Sequence, residues 1–207
     1  MTEKMPIARI PNPRGSGEQL RHDLVAAARE LLVGPQEIAP FSLRAVAKAV
    51  GVSPTAVYRH FDSAGSLVEA VLDDENNALR EALGTAEPAP TSIDLQSMNA
   101  LALRYVRWGL ANPGAYQLLF ERADRIGHRG GPGAPGWDMI EALAALLGAS
   151  LHLDEASATV LAIRVWSALH GLTSLRLHKP GLQWPTSVDD EVTAITALLF
   201  TQQTRLG

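Results

Sequence analysis

The sequence predicts an all-α protein of about nine helices, with a small N-terminal head and a larger helical body. Three observations lead there. Apolar residues recur at helical spacing along most of the chain, and no run alternates polar and apolar residues as a half-buried strand would. Clusters of Gly and Pro break the periodic stretches at helix-like intervals. The 207 residues, 46% apolar and 19% charged, have the length and composition of a chain that buries a substantial core.

From Glu18 to Val33, the positions Leu20, Leu24, Ala27, Ala28, Leu31 and Leu32 form one stripe of a first helix. Gly34-Pro35 stops it, the glycine being suited to a left-handed cap and the proline unable to continue the ladder. Ser42 offers the N-cap of a short helix with Leu43, Val46, Ala47 and Val50 inward, closed by Gly51. Ser53-Pro54 restarts the chain at once, with serine as cap and proline at the first helical position, and this second short helix is expected over residues 54 to 61. Val52 and Val57 stand at the spacing of a hydrophobic staple. A fourth helix, capped near Asp62 or Ser63, carries Leu67, Val68, Val71, Leu72, Leu79 and Leu83.

The breaker-rich run at 84–90 separates the head from the rest of the chain. The expected division is a flexible basic arm over 1–17, a head over 18–66 and a body over 67–207. Thr91 with Asp94 resembles a capping box that opens a long helix to Leu110, ended by Asn112-Pro113-Gly114. A shorter helix from Ala115 carries Leu118, Leu119 and Phe120. Five glycines and two prolines between Gly127 and Gly136 predict a mobile surface loop. Helices are expected beyond it at about 137–147, 154–178 and 188–205. The last begins with Ser187 as cap and with Asp189, Asp190 and Glu191 in its first turn, where the helix dipole favours negative charge.

Several function classes are excluded. The absence of cysteine removes disulfides, thiol nucleophiles and thiolate metal sites. No apolar stretch approaches the roughly 20 residues of a membrane span, and the N-terminus lacks the apolar run of a signal peptide, so a cytoplasmic protein is expected. His152, His170 and His178 lack the helical spacing to a carboxylate that zinc sites use, and no GxSxG elbow, P-loop or GxGxxG fingerprint occurs. No enzyme activity, metal or cofactor is expected. The net charge of -4 is unevenly spread: residues 1 to 62 hold eight Lys/Arg against six acids, and the remainder ten against sixteen. A basic front on an acidic body is a hint of a nucleic-acid-facing head.

Two short helices joined by Gly51-Val52-Ser53 have the proportions of a helix-turn-helix. A major groove about 12 Å wide admits one helix, which the preceding helix braces against the phosphate backbone. Burial of Val57 and Phe61 would turn Thr55, Ala56, Tyr58, Arg59 and His60 outward, a face of hydroxyls, an aromatic, an arginine and a methyl, without Glu or Lys. The run from Phe41 to Phe61, with its Ala47-x3-Gly51-Val52-Ser53 and Tyr58-x-His60-Phe61 elements, resembles the head of the TetR family of bacterial transcriptional regulators over about residues 18 to 72. That resemblance implies a three-helix DNA-binding head, a body that binds a small molecule, and a homodimer. It puts phosphate contacts on Ser42 and Tyr58, His60 near the backbone, and base or nearby phosphate contacts on Arg44, Ser53, Thr55, Ala56 and Arg59. One departure stands out: Ala64 occupies the place where the family usually holds a phosphate with Lys. Lys4, Arg9 and Arg14 could reach the minor groove instead.

In the body, Trp166-Ser-Ala-Leu-His170-Gly171 resembles the Trp-x3-His-Gly (WHG-type) pattern of one C-terminal class in that family. Gly171 is expected to admit a close helix, and His170 to be hydrogen-bonded within its helix or across the dimer. Val160, Ile163, Trp166 and Leu169, with Val192, Ile195, Leu198 and Leu199, are expected to form a four-helix dimer interface. Two heads are needed to read half-sites roughly 34 to 36 Å apart. Candidates for the effector pocket are Met98, Leu101, Tyr105, Trp108, Tyr116, Leu119, Phe120, Trp137, Ile140 and Trp166. Their apolar character implies a lipophilic or aromatic effector. The expected function is a ligand-responsive repressor, released from double-stranded operator DNA by a small molecule. The alternative is a dimeric helical binding module, for a small molecule or a protein, whose head no longer reads DNA.

Overall fold

In a computed structural model, the protein is described over residues 16–34, 41–84, 91–122 and 137–203. Nine α-helices and no strand occur among the described residues: α1 (Ser16–Val33), α2 (Leu43–Val50), α3 (Pro54–Val57), α4 (Ala64–Leu83), α5 (Leu95–Ala111), α6 (Pro113–Gln117), α7 (Trp137–Leu151), α8 (Glu155–His178) and α9 (Val188–Gln203). The 1–15 part of the basic arm and the Gly/Pro-rich run at 127–136 lie outside the described residues.

Local chemistry sets most boundaries. The Ser42 hydroxyl accepts the Ala45 N–H at 3.2 Å and opens α2. Gly51 closes it at φ 76°, with its N–H on the Lys48 carbonyl and the Val52 N–H on the Ala47 carbonyl, the paired bonds of a Schellman motif. Left-handed glycines occur at Gly51 and Gly84; Gly34, expected to be one, does not take that conformation and bonds back to Glu30. His152 takes the left-handed position after α7 at φ 55°, a conformation His tolerates better than most side chains.

Three expectations are corrected. The α3 helix ends at Val57 rather than 61, and the next turn tightens, with His60 N–H bonded to Val57 O at 2.9 Å. Phe61 is drawn into the core and Ser63 must be extended to cap α4, which leaves no length for another α-turn. Asp94, not Thr91, caps α5: its carboxylate accepts the Ser97 N–H at 2.7 Å. The reason lies elsewhere in the fold, because the Ile93 N–H is taken by Ser150 Oγ at 2.7 Å, which holds the preceding residues off the helix. Finally, α6 begins at Pro113, so Asn112-Pro113 both ends one helix and starts the next, and a π-helical turn, Leu118–Arg122, comes directly after it.

Two apolar cores result. Leu24, Val25 and Ala28 of α1, Leu43 and Val46 of α2, Val57, Phe61 and the front of α4 (Leu67, Val68, Val71, Leu72) form the first. The rear of α4 (Leu79, Leu83) joins α5, α7, α8 and α9 in the second. Leu118 is buried in the first core although Tyr116 lies in the second. Where the two meet, a Cβ at Gly114 would lie 2.4 Å from Val33 Cγ1 and 2.6 Å from the Val33 carbonyl. One helical turn before Val33, Arg29 of α1 pairs with the buried Glu75 of α4.

The expected dimer stripe divides. Leu169 and Val192 are consumed by the chain's own core, while Val160 and Leu198 remain 45% and 58% exposed. Gly171 admits no helix among the described residues; the close approach is at Gly109, where a Cβ would meet Thr173 Cγ2 and Tyr116 Cδ2 at 2.7 Å.

Since backbone cannot retreat as a side chain can, Gly114→Ala should destabilise the fold by about 1–3 kcal/mol. Gly65→Ala, on an open helical turn, should be neutral or gain up to about 1 kcal/mol, and urea denaturation of both variants checks the pair.

Candidate nucleic-acid interface and effector site

In the head, α3 is anchored from beneath. Val57 is fully buried and Phe61 is 3% exposed, with Arg21 stacked over the Phe61 ring at 5.0 Å. On the other side Ser53, Thr55, Tyr58 and Arg59 are exposed, and Ala56 and His60 are half-buried. Arg44 is exposed on α2, against which α3 packs, and half-buried Ser42 stands at the start of α2. Ser42 and Ser53 each accept a backbone N–H as caps, at 3.2 and 3.3 Å, a role that leaves the hydroxyl proton available for an acceptor such as a phosphate oxygen. The eight expected contact residues thus fall on two adjoining helix starts and one tight turn.

In the body, four of the ten expected pocket residues share one aromatic cluster. Tyr105 meets Tyr116 and Phe120 edge-on at 6.1 and 5.9 Å, Tyr116 and Phe120 lie 5.0 Å apart, and Phe120 lies 6.3 Å from Trp166. A fifth member is His170, whose ring stacks on Tyr116 at 5.5 Å and tilts against Trp166 at 5.5 Å. The Tyr116 hydroxyl lies 2.6 Å from His170 Nδ1 and 3.2 Å from the His170 carbonyl. The ring of His170, expected to bond within its own helix or across the dimer, is instead paired with the Tyr116 hydroxyl of α6 in the same chain; its i, i+4 spacing from Trp166 is the signal that could place it in this cluster. Met98 is buried in the same body core, and Leu101, Trp108, Leu119 and Ile140 pack partly buried against it. Trp137 is half-buried at the start of α7, whose Asp138 pairs with Arg80 of α4.

Burial sets the charge state of the cluster. It holds the Tyr105 phenol well above its ordinary range and pushes Tyr116 up to about 12. It lowers His170, against the opposing pull of the Glu121 carboxylate. At neutral pH the cluster therefore carries two protonated phenols and a neutral imidazole. Glu121 is itself engaged, accepting from Ser174 Oγ at 2.9 Å and facing His178 Nε2 at 3.4 Å. The buried Tyr105 hydroxyl lies beside the Tyr116 phenol and the Trp166 indole without closing a well-formed hydrogen bond to either.

Among the described residues no group of three His, Asp or Glu is placed to hold a metal ion, and no single helix is long and apolar enough to cross a membrane. Residues 24–71 match the family profile described as bacterial regulatory proteins, tetR family, and residues 98–199 match that of the tetracyclin repressor-like C-terminal domain. The chain belongs to the TetR family. It is accordingly a transcription regulator with a helix-turn-helix DNA-binding head and a ligand-binding C-terminal domain. Solved structures share the fold. A protein of unknown function from Rhodococcus sp. RHA1 is 24% identical with a TM-score of 0.67, covering 94% of this chain and 98% of its own. A TetR-like transcriptional regulator from the same source is 18% identical with a TM-score of 0.62, covering 93% and 98%. The multidrug binding protein EbrR, complexed with imidazole, is 21% identical with a TM-score of 0.61, covering 86% and 93%.

Within this TetR-family head, the start of α4 is unusual in its electrostatics. Ala64 is half-buried against the head core where the family's Lys is expected. Beside it, hydrogen bonds from the Ser66 hydroxyl, and then from Ser63, keep the exposed Asp62 carboxyl below its ordinary value. A carboxylate therefore faces the positive end of the helix dipole, and Ser63 and Ser66 cap each other's N–H groups. The first turn is satisfied from within.

The lowered His170 makes a pH prediction. Between its folded value and the ordinary 6.5, the unfolded chain binds a proton that the folded chain refuses, so stability is lost as pH falls below about 6.5. Thermal denaturation should show a steeper drop in Tm between pH 7 and 5 for the parent chain than for His170→Gln, which has no imidazole to protonate.

Proposed function

We propose that the chain is a ligand-responsive repressor that binds operator DNA as a homodimer and is released by a small lipophilic or aromatic effector. The reading takes residues 18–66 as the DNA-reading head and 67–207 as the effector-binding and dimerisation body. Ser42, Tyr58 and His60 hold the phosphate backbone; Arg44, Ser53, Thr55, Ala56 and Arg59 reach base edges or adjacent phosphates. The observation that carries it is the two-sided character of the α3 segment. Its apolar side is fully engaged by Val57 and Phe61, while Tyr58, 55% exposed, and Arg59 project from a surface without carboxylates between Ser53 and Phe61. A large aromatic and an arginine left in water beside two serine caps suit phosphate and base contact better than a solvated face. Support for the effector comes from the aromatic cluster of the body and from the likeness to EbrR, a multidrug binding protein. Support for the dimer comes from Val160 and Leu198, large apolar side chains left exposed on the last two helices.

The second reading, a dimeric module whose head no longer reads DNA, is favoured by one observation: Asp62 and Ala64 put negative charge and no Lys at the start of α4.

Mobility-shift titration with the DNA upstream of the chain's own gene separates the two. Under the regulator reading, binding survives excess competitor DNA and weakens steeply with salt. Replacing Tyr58 and Arg59 together by Ala should abolish the shift and leave the oligomeric state unchanged in sedimentation. Binding unaffected by the double substitution would refute the contact assignment, and no specific binding at all would favour the second reading. Leu198→Glu should divide the dimer and cost operator affinity at least about tenfold, because a single head reads only a half-site.

A further inference from the structure

Helix α1 carries two arginines, and the fold engages only one of them in ion pairs. Arg29 pairs with Glu75 and Glu30. Arg21, about two turns earlier, is exposed and pairs with no carboxylate among the described residues. The acid nearest to it in sequence, Asp23, accepts from Gln19 at 2.8 Å instead. What fixes Arg21 is an apolar face: its guanidinium lies over the Phe61 ring, 5.0 Å from the centroid. A guanidinium that stacks by its face keeps its N–H donors in its rim. With the ring beneath it 3% exposed and Arg21 itself in water, that rim is open to a partner outside the chain. The place is specific as well. Phe61 follows Tyr58, Arg59 and His60 and precedes Asp62 and the start of α4. Gly17, one turn before Arg21 on the same side of α1, faces His60, whose Cε1 would stand 3.9 Å from a Cβ added there. The front of α1 thus flanks the exposed turn of the head.

From this we infer that Arg21 is a further DNA contact, a fork of N–H donors that takes a backbone phosphate beside the turn of Tyr58 and His60 and supplies from α1 the cation that the start of α4 lacks. The inference rests on the reading of the head as the DNA-binding unit. A phosphate is the partner, not a base edge, because Arg21 stands on α1, outside the segment from Ser53 that enters the groove. The guanidinium suits that partner, since its planar rim matches two phosphate oxygens at once. Stacking on Phe61 holds the fork in one orientation before DNA arrives, so little freedom is lost on contact. Asp62 adds a reason for a cation here: its exposed carboxylate, next in sequence to Phe61, repels a phosphate approaching this edge, and Arg21 offsets it.

The test is the salt dependence of binding, which counts neutralised phosphates and is blind to a merely structural role. The full chain and three variants are titrated against the DNA upstream of the chain's own gene, and against unrelated DNA, between about 50 and 200 mM salt. Arg21→Met keeps an apolar cover on Phe61 and removes the charge, Arg21→Gln removes the charge and keeps a planar polar group, and Arg21→Lys keeps the charge. For a dimer with two heads, both neutral variants should make the slope of log K against log salt shallower by about 1.8, at roughly 0.9 per phosphate. They should weaken binding to both DNAs by the same factor, about tenfold or more, as loss of a backbone contact does. Arg21→Lys should retain the parent slope. A slope unchanged in Arg21→Met and Arg21→Gln would overturn the inference; if affinity fell all the same, Arg21 would be a support for Phe61 and nothing more. A parent chain that never shifts DNA would sink the regulator reading, and this inference with it, before any variant is compared.

Discussion

The structure depends on α4 being a single unbroken helix whose apolar stripe is spent in two places. Over twenty residues, about 30 Å at 1.5 Å per residue, Leu67 to Leu72 close the core of the head and Leu79 and Leu83 close that of the body. Neither core is complete without it. A break or kink in the middle would strip apolar surface from both at once, so α4 is held at each end by chemistry of its own: the mutual Ser63 and Ser66 caps at the start and left-handed Gly84 at the finish. Glu75 and Asn76 sit buried between the two apolar segments, and Arg29 compensates the charge of Glu75. A buried carboxylate is tolerable there because its partner comes from α1, which makes the register of α1 against α4 specific as well as stable.

Legible in the sequence is whatever the chain decides locally. Ser42, Gly51 and Ser53 are readable as caps and Pro54 as a first helical residue because each acts within about one turn of itself, and the buried faces of α1, α2 and α4 come from period alone. The misses have a common cause. Thr91 and Asp94 are both competent caps, and the choice between them is made by Ser150, far along the chain, through its bond to the Ile93 N–H. The pairing of Tyr116 with His170 spans 54 positions and no local pattern encodes it. The turn at Leu118–Arg122 reads as ordinary helix in sequence, since π-geometry adds one residue to a turn without changing its composition. Likewise, a helix such as α8, buried on more than one side, has no single stripe that separates Leu169, which faces inward, from Val160, which does not.

The same logic governs the candidate sites. The head surface is readable because one short segment supplies most of it, and a segment whose apolar residues are known fixes where its polar residues point. The body cluster draws Tyr105 from α5, Tyr116 and Phe120 from α6 and the turn beyond it, and Trp166 and His170 from α8. Ten apolar candidates at helical spacing cannot be ranked until three helices are placed, and four of them, Tyr105, Tyr116, Phe120 and Trp166, then converge.

Under the proposed function, that convergence bears on how an effector in the body would act on the head. Within five residues, Tyr116 and Phe120 belong to the aromatic cluster and Leu118 to the core of the head. Two residues before that stretch, Gly114 is pressed against Val33 at the end of α1. A π-turn stores one residue that a regular helix would not need, so rewinding it rotates every side chain beyond it by about a quarter turn or more. An occupant that displaces Phe120 therefore works directly against the burial of Leu118, and the packing of Gly114 on Val33 leaves no slack to absorb the shift. Close-packed interiors switch between discrete arrangements rather than deform continuously, and a molecule bound in the body can move the head only as far as it binds those arrangements unequally.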